Sequence, residues 1–349
     1  MTQLALYLHP NIKHDIDERF PNIFPFDQMV NRVRINEIDP YNCKLMVDSI
    51  QDIINHFSCN LSFEEIAFKR ADYFKSLNDK IYLQYSGGID STVALLSILR
   101  SWDKQELERV NILCSYQSIK EFPGFWNEIN HTFKGRIISS FNNFAPYLEQ
   151  GIMINGEVGD QIFGSDLINI IENVFDKESI HKPWEDIIPK TLSVALFPAT
   201  KPQIKFFIQL ICSTFYACPF PIKTAFDWIW WYNFTTKVQH VTHRLLMMED
   251  LTKNFDKIYP FFYTRDFQKW SMENHDLKVG KTSKSYKLEA KKFIHKYLND
   301  ENYLDKPKIG SLGKLWLVRE KNFAVDEHYN IISFKQSKKY VRKLNENIN

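Results

Sequence analysis

Between Ile81 and about Asp166, short β-rich runs alternate with apolar segments of helical spacing. The runs are IYLQY from Ile81, VNILCS from Val110, RIISS from Arg136 and IMI from Ile152. Strands that alternate with helices predict βαβ units, hence a parallel sheet covered by helices on both faces. Before this block the chain carries Pro10, Pro21, Pro25 and Pro40, then a periodic stretch through Leu45, Val47, Ile50, Ile53 and Ile54. That pattern predicts an irregular lead-in followed by a helix. After Asp166 the texture turns helical, through LINIIENVF, FDWIWWYNF and HRLLMMEDL. The expected division is therefore an N-terminal segment over 1–75, an α/β core over 76–166 and an α-rich part over 167–349 that selects the substrate and completes the site.

Composition narrows the classes. Of 349 residues 44% are hydrophobic and 15% aromatic, which excludes a largely disordered or collagen-like chain. A formal charge of +2 supplies no strongly basic field, so nucleic acid is not a required partner. The five cysteines, Cys43, Cys59, Cys114, Cys212 and Cys218, are odd in number and contain no C-x-x-C pair, against a disulfide framework or a zinc ribbon. The longest uncharged run, residues 206–222, has 17 residues, where a spanning helix wants ~20, so no membrane segment is expected. The start, MTQLALYLHPNIKHD, lacks the basic end and apolar core of a secretory signal, and a cytoplasmic location is expected.

Glycine points to the chemistry. Only 11 of the 349 residues are glycine, against roughly 7% in an average chain. Five of these fall in two windows, Gly87-Gly88 and Gly156/Gly159/Gly164. The first window joins a strand to an apolar helix through Ser86-Gly87-Gly88-Ile89-Asp90-Ser91-Thr92. A turn of this kind brings backbone N–H groups and the positive end of a helix dipole to an anion. Ser86, Ser91 and Thr92 add hydroxyls. Asp90 would repel a phosphate unless a hard cation lay between them, which points to Mg²⁺. In the second window, Asn155-Gly156-Glu157-Val158-Gly159-Asp160-Gln161-Ile162-Phe163-Gly164, two carboxylates three residues apart around a turn can supply a metal ligand and a proton acceptor.

The SGGIDS stretch resembles the S-G-G-x-D-S signature of PP-loop ATP pyrophosphatases. The second window is similar to the S-G-E-G-[AS]-D-E-x-F-G-G segment of asparagine synthetase-type amidotransferases within that superfamily. There Gly156, Glu157, Asp160, Phe163 and Gly164 match, while Asn155, Val158 and Gln161 depart. The resemblance implies a five-stranded parallel PP-loop sheet, of the adenine nucleotide alpha-hydrolase kind, flanked by helices. It also implies Mg·ATP on Ser86, Gly87, Gly88, Ser91 and Thr92, with Asp90 and Asp160 as metal ligands and Glu157 assisting the attacking amine. Tyr259-Pro260-Phe261-Phe262 and the stretch from Leu277 to Phe293 are similar to the family's R-V-P-F-L-D segment and K-x-x-L-R helix. Tyr263 replaces the aspartate of the former. The best register puts Lys287 on the family's catalytic lysine, with Lys284 one turn earlier as its rival; a lysine here would stabilise charge developing on the activated carboxyl group. The basic stretch from Lys281 to Lys296 also reads as a solvated helix face.

The activity so implied is ATP-dependent amide formation. A carboxylate of a small molecule or nucleobase is activated as an acyl-adenylate with release of pyrophosphate, then passed to ammonia or an amine. The resemblance does not extend to the family's glutaminase half, and none is expected, since Thr2-Gln3 follow Met1 where that half has a nucleophilic cysteine. The nitrogen is thus expected from free ammonia, a separate glutaminase or an amine on the acceptor. Two other readings stand beside this one: a PP-loop enzyme amidating a deazapurine or modifying tRNA, and a non-catalytic descendant that binds ATP. His240 and His243 lack a third ligand nearby, and the basic tail from Lys335 to Lys343 reads as a solvated helix. Trp228, Trp230 and Trp231 cannot all lie on one helix face and read as packing, with substrate stacking as the alternative.

Overall fold

The computed structural model describes residues 50–56, 59–139, 144–195, 201–237, 256–300 and a few isolated positions. The region of His240 and His243 and the basic tail lie outside the described residues.

Five parallel strands form the central sheet: β1 Ile81–Tyr85, β2 Val110–Cys114, β3 Ile137–Ser139, β4 Ile152–Asn155 and β5 Ile258–Pro260. Their order is β3-β2-β1-β4-β5. In β1, Ile81 pairs with Val110 on one side and Ile152 on the other. The expected α/β class with a five-stranded parallel sheet flanked by helices is observed. Four of the strands are the runs read from the sequence. The fifth comes from the region expected to be α-rich, as a three-residue edge strand in register with Met153 to Asn155. Its last residue is Pro260, tolerated because a sheet edge needs no second set of ladder bonds.

Side chains of the central strands divide by parity. Ile81, Leu83 and Tyr85 enter the main core, whereas Tyr82 joins Leu113, Phe144, Leu148, Met153 and Ile258 in a smaller cluster. Period-two alternation with both faces apolar is what burial on both sides demands. Helix Ile89–Ser101 leaves β1 with nine buried residues, and helices Phe63–Leu77 and Leu288–Leu298 both pack on it. A capping box formed by Ser62 and Glu65 starts the former helix. Arg70, half-buried within it, donates to the carbonyls of Pro260 and Phe261, each at 3.2 Å, and so ties β5 to that helix.

Helix Ala225–Thr236 is buried at every residue but Asp227, and Trp228, Trp230 and Trp231 are all 0% exposed. The three indoles thus serve packing on all sides of one helix. Beside Trp230 runs a polar chain in which Lys278 is buried and His275 and Asp227 are half-buried. Lys278 Nζ sits 3.6 Å from the Trp230 ring centre and donates to His275 Nδ1 at 3.0 Å. That leaves His275 Nε2 to carry the hydrogen toward Asp227 Oδ1, 2.9 Å away. Burial, then the charge of Lys278, depress His275 from its ordinary 6.5 to about 4. Burial likewise holds Lys278 well below its usual range.

No helix among the described residues is long and apolar enough to cross a membrane. The described cysteines, Cys59, Cys114, Cys212 and Cys218, are free thiols.

His275 gives the fold a pH signature. Its proton affinity is lower in the folded chain than in the unfolded one, so the unfolded state takes up the proton first as pH falls. The associated stability is complete above pH 6.5 and is lost toward pH 4. A melting-temperature series from pH 7 to 4 should show this fall, and His275→Gln, which keeps the donor to Asp227, should flatten it.

Candidate functional site

The strand order reverses direction between β1 and β4, and in sheets of this order ligands lie in the crevice beyond the carboxyl ends of the strands at that point. Both glycine windows follow those two strands. In the first, Gly87 has φ +75°, and a β-carbon there would stand 2.2 Å from the Ser118 carbonyl oxygen. Ser91 organises the turn from inside. Its hydroxyl accepts from the Ser86 N–H at 3.1 Å, lies 3.0 Å from the Ser86 hydroxyl and donates to the Gly88 carbonyl at 3.1 Å. Ser86 remains exposed. Gly88 is the N-cap of helix Ile89–Ser101, and no side chain caps that end, so its first-turn N–H groups and dipole face the crevice. Thr92 is 0% exposed and lies against the buried phenols of Tyr85 and Tyr303. Its hydroxyl therefore sits inside the core, and the part of the cradle that solvent reaches is the exposed Ser86 with the half-buried Gly88 and Asp90.

The second window closes onto the first. A β-carbon on Gly159 would fall 2.3 Å from Asp90 Cγ, and one on Gly156 would fall 2.8 Å from the Ser91 nitrogen. Only glycine permits the two loops to approach this closely. Between them Val158 adopts φ +72°, a left-handed conformation unfavourable for a β-branched residue. Asn155 Oδ1 accepts from the Glu157 N–H at 3.1 Å, and the half-buried Glu157 lies on the turn between β4 and Asp160. Asp160 follows Gly159 in the short helix Gly159–Phe163.

Lys287 joins the two aspartates. Its ammonium donates to Asp90 Oδ2 and forms an ion pair with Asp160 Oδ1 at 2.6 Å. The side chain is 1% exposed, against 16% for Asp90 and 24% for Asp160. Lys287 takes φ +63° immediately before helix Leu288–Leu298, and the Leu288 N–H bonds to the Lys278 carbonyl at 2.9 Å. The two candidate lysines differ in placement. Lys284 is exposed, while its carbonyl accepts from Lys291 Nζ at 2.6 Å. Lys291 also bonds the Leu304 carbonyl at 3.0 Å and serves as a buried brace for the turn. The stretch from Lys281 to Lys296 is thus a solvated face only in part.

Two further side chains belong to the picture. The Tyr286 hydroxyl donates to Asp160 Oδ1 at 3.1 Å; as the neighbour of Lys287 it carried no sequence signal of its own. Gln161, where the resembling family has a second acidic residue, is 4% exposed and donates to Asn233 Oδ1 at 3.4 Å. Asn233 in turn donates to the Gly164 carbonyl. The neutral amide thus packs against helix Ala225–Thr236.

Among the described residues no group of three or more His, Cys, Asp or Glu side chains is arranged to hold a metal ion. The donor set still suits Mg²⁺ bound together with a nucleotide. That ion prefers hard oxygens and is commonly held by one or two carboxylates plus substrate phosphates, and Asp90 and Asp160 are two such carboxylates beside an uncapped helix N-terminus.

The chain matches no family model, no curated protein and no solved structure.

The loop-to-loop contact is directly testable. Gly159→Ala places a methyl group inside the Asp90 carboxylate and should cost on the order of 2–3 kcal/mol as overpacking of a closed site, measured by denaturant unfolding.

Proposed function

We propose that the chain is an ATP-dependent carbon–nitrogen ligase that forms AMP and pyrophosphate, similar in chemistry to the asparagine synthetase-type enzymes its motifs resemble. The observation that carries this reading is the bridge from Lys287 to Asp90 and Asp160, which unites three separately recognised segments around the end of one helix.

In the proposed reaction the β- and γ-phosphates of ATP lie on Ser86, Gly88 and the first-turn N–H groups, in the loop shaped by Gly87 and Ser91. Asp90 and Asp160 would hold Mg²⁺, which when bound neutralises phosphate charge and assists pyrophosphate departure. A substrate carboxylate oxygen attacks the α-phosphorus and the bond to the bridging oxygen breaks, giving an acyl-adenylate and pyrophosphate. Ammonia or an amine then attacks the acyl carbon. AMP leaves, and the surplus proton passes to Glu157 or to water. Lys287 donates to the oxygen on which negative charge accumulates, and so acts where electrostatic stabilisation is most effective.

This reading is tested by quantifying AMP and pyrophosphate made from ATP, Mg²⁺ and ammonia across a panel of carboxylates. Asp90→Ala should abolish pyrophosphate release; turnover of ATP by that variant at the wild-type rate would overturn the proposal. Lys287→Ala should slow AMP formation at least ~100-fold, the usual consequence of deleting one preorganised donor, whereas Lys284→Ala should leave it unchanged.

A further inference from the structure

Tyr286 and Lys287 are adjacent in sequence yet reach the same oxygen, Oδ1 of Asp160. In regular helix or strand, consecutive side chains diverge. Here the backbone passes from an extended ψ of 139° at Tyr286 to a left-handed φ of 63° at Lys287, and the two side chains converge. An ionised carboxylate only accepts, so the phenol is the donor. A directional hydrogen bond and an ammonium charge on one oxygen together restrain the carboxylate plane.

The ring is fixed as firmly as its hydroxyl. Tyr286 is 8% exposed, and its N–H bonds to the Ser283 carbonyl at 3.1 Å. A β-carbon on Gly164 would stand 2.8 Å from Tyr286 Cε2 and 3.1 Å from Phe226 Cε2. The last glycine of the second window thus makes room for this aromatic ring.

We infer that Tyr286 is a positioning residue, whose hydroxyl fixes the Asp160 carboxylate in the orientation that receives a nucleotide-bound divalent cation. The inference rests on the assignment of Asp160 to the metal–nucleotide site and not on the identity of the carboxylate substrate.

The test uses the full chain with Mn²⁺ as a paramagnetic probe, titrated in the presence of ATP and without an acceptor. Tyr286→Phe removes only the hydroxyl and should weaken Mn²⁺·ATP binding about 10-fold, the usual effect of losing a partner that orients a metal ligand. In turnover the same variant should raise KM for Mg·ATP more than it lowers kcat. Tyr286→Leu, which also loses the ring, should melt at a lower temperature than the Phe variant while binding Mn²⁺·ATP no more weakly. The inference is overturned if Tyr286→Phe binds Mn²⁺·ATP like the wild type, or if affinity falls in proportion to melting temperature across both variants. Wild-type chain that binds Mn²⁺·ATP but makes no AMP with any carboxylate would refute the proposed ligase reaction and leave this inference standing. Wild-type chain that does not bind Mn²⁺·ATP would refute both.

Discussion

One ammonium group sets the geometry of the crevice. Asp90 and Asp160 are brought side by side by the close approach of two glycine-shaped loops, and two adjacent carboxylates with little solvent repel unless a cation sits with them. Lys287 supplies that cation from a position 1% exposed. Removing one partner of a buried ion pair commonly costs ~3–5 kcal/mol; the partial exposure of both aspartates puts this case below that range. The same contact draws helix Leu288–Leu298 onto helix Ile89–Ser101, so electrostatics at the crevice and packing beneath it favour one arrangement.

The sheet determines where this can happen. With the order β3-β2-β1-β4-β5, only β1 and β4 flank the point from which the chain winds outward in both directions. Loops leaving those strands therefore face each other across an open crevice. Gly87 is required by its left-handed turn and Gly159 by contact with Asp90, so at these two positions glycine stands where a β-carbon has no room. Val158, non-glycine at φ +72°, shows that the second loop accepts backbone strain to bring Asp160 into place.

Much of this was legible in the sequence, for reasons that also explain what was not. Buried parallel strands are short apolar runs bounded by turns, so β1, β2, β3 and β4 stood out. β5 did not, because three residues ending in Pro260 carry too little periodicity to separate a strand from a turn. The three indoles of helix Ala225–Thr236, too closely spaced to share one helix face, are buried all round. Asp90 and Asp160 were visible because a carboxylate in a glycine turn is chemically odd. Which of Lys287 and Lys284 reaches the two aspartates needed coordinates, since residues three apart in a basic stretch look alike until the backbone is seen to turn left-handed at Lys287. Tyr286 and the Lys278–His275–Asp227 chain were invisible for the same reason: each depends on contacts between segments distant in sequence.

Positions within the two motifs consequently fall into different physical roles, although the sequence shows them as one string. Ser86, Gly88 and Asp90 lie at the crevice. Ser91 and Thr92 are buried, the first bonding the turn to itself and the second set among Tyr85 and Tyr303. Gln161 belongs with the builders, since its amide is bonded to Asn233 away from the ammonium bridge. A carboxylate at that position would meet Asn233 Oδ1 acceptor to acceptor unless the Asn233 amide rotated, and rotation would forfeit the bond to the Gly164 carbonyl. The departure from the resembling motif at Gln161 is thus coupled to the choice of Asn233 on a helix 72 residues away, and a packing contact accounts for it without any change in the chemistry proposed at Asp90, Asp160 and Lys287.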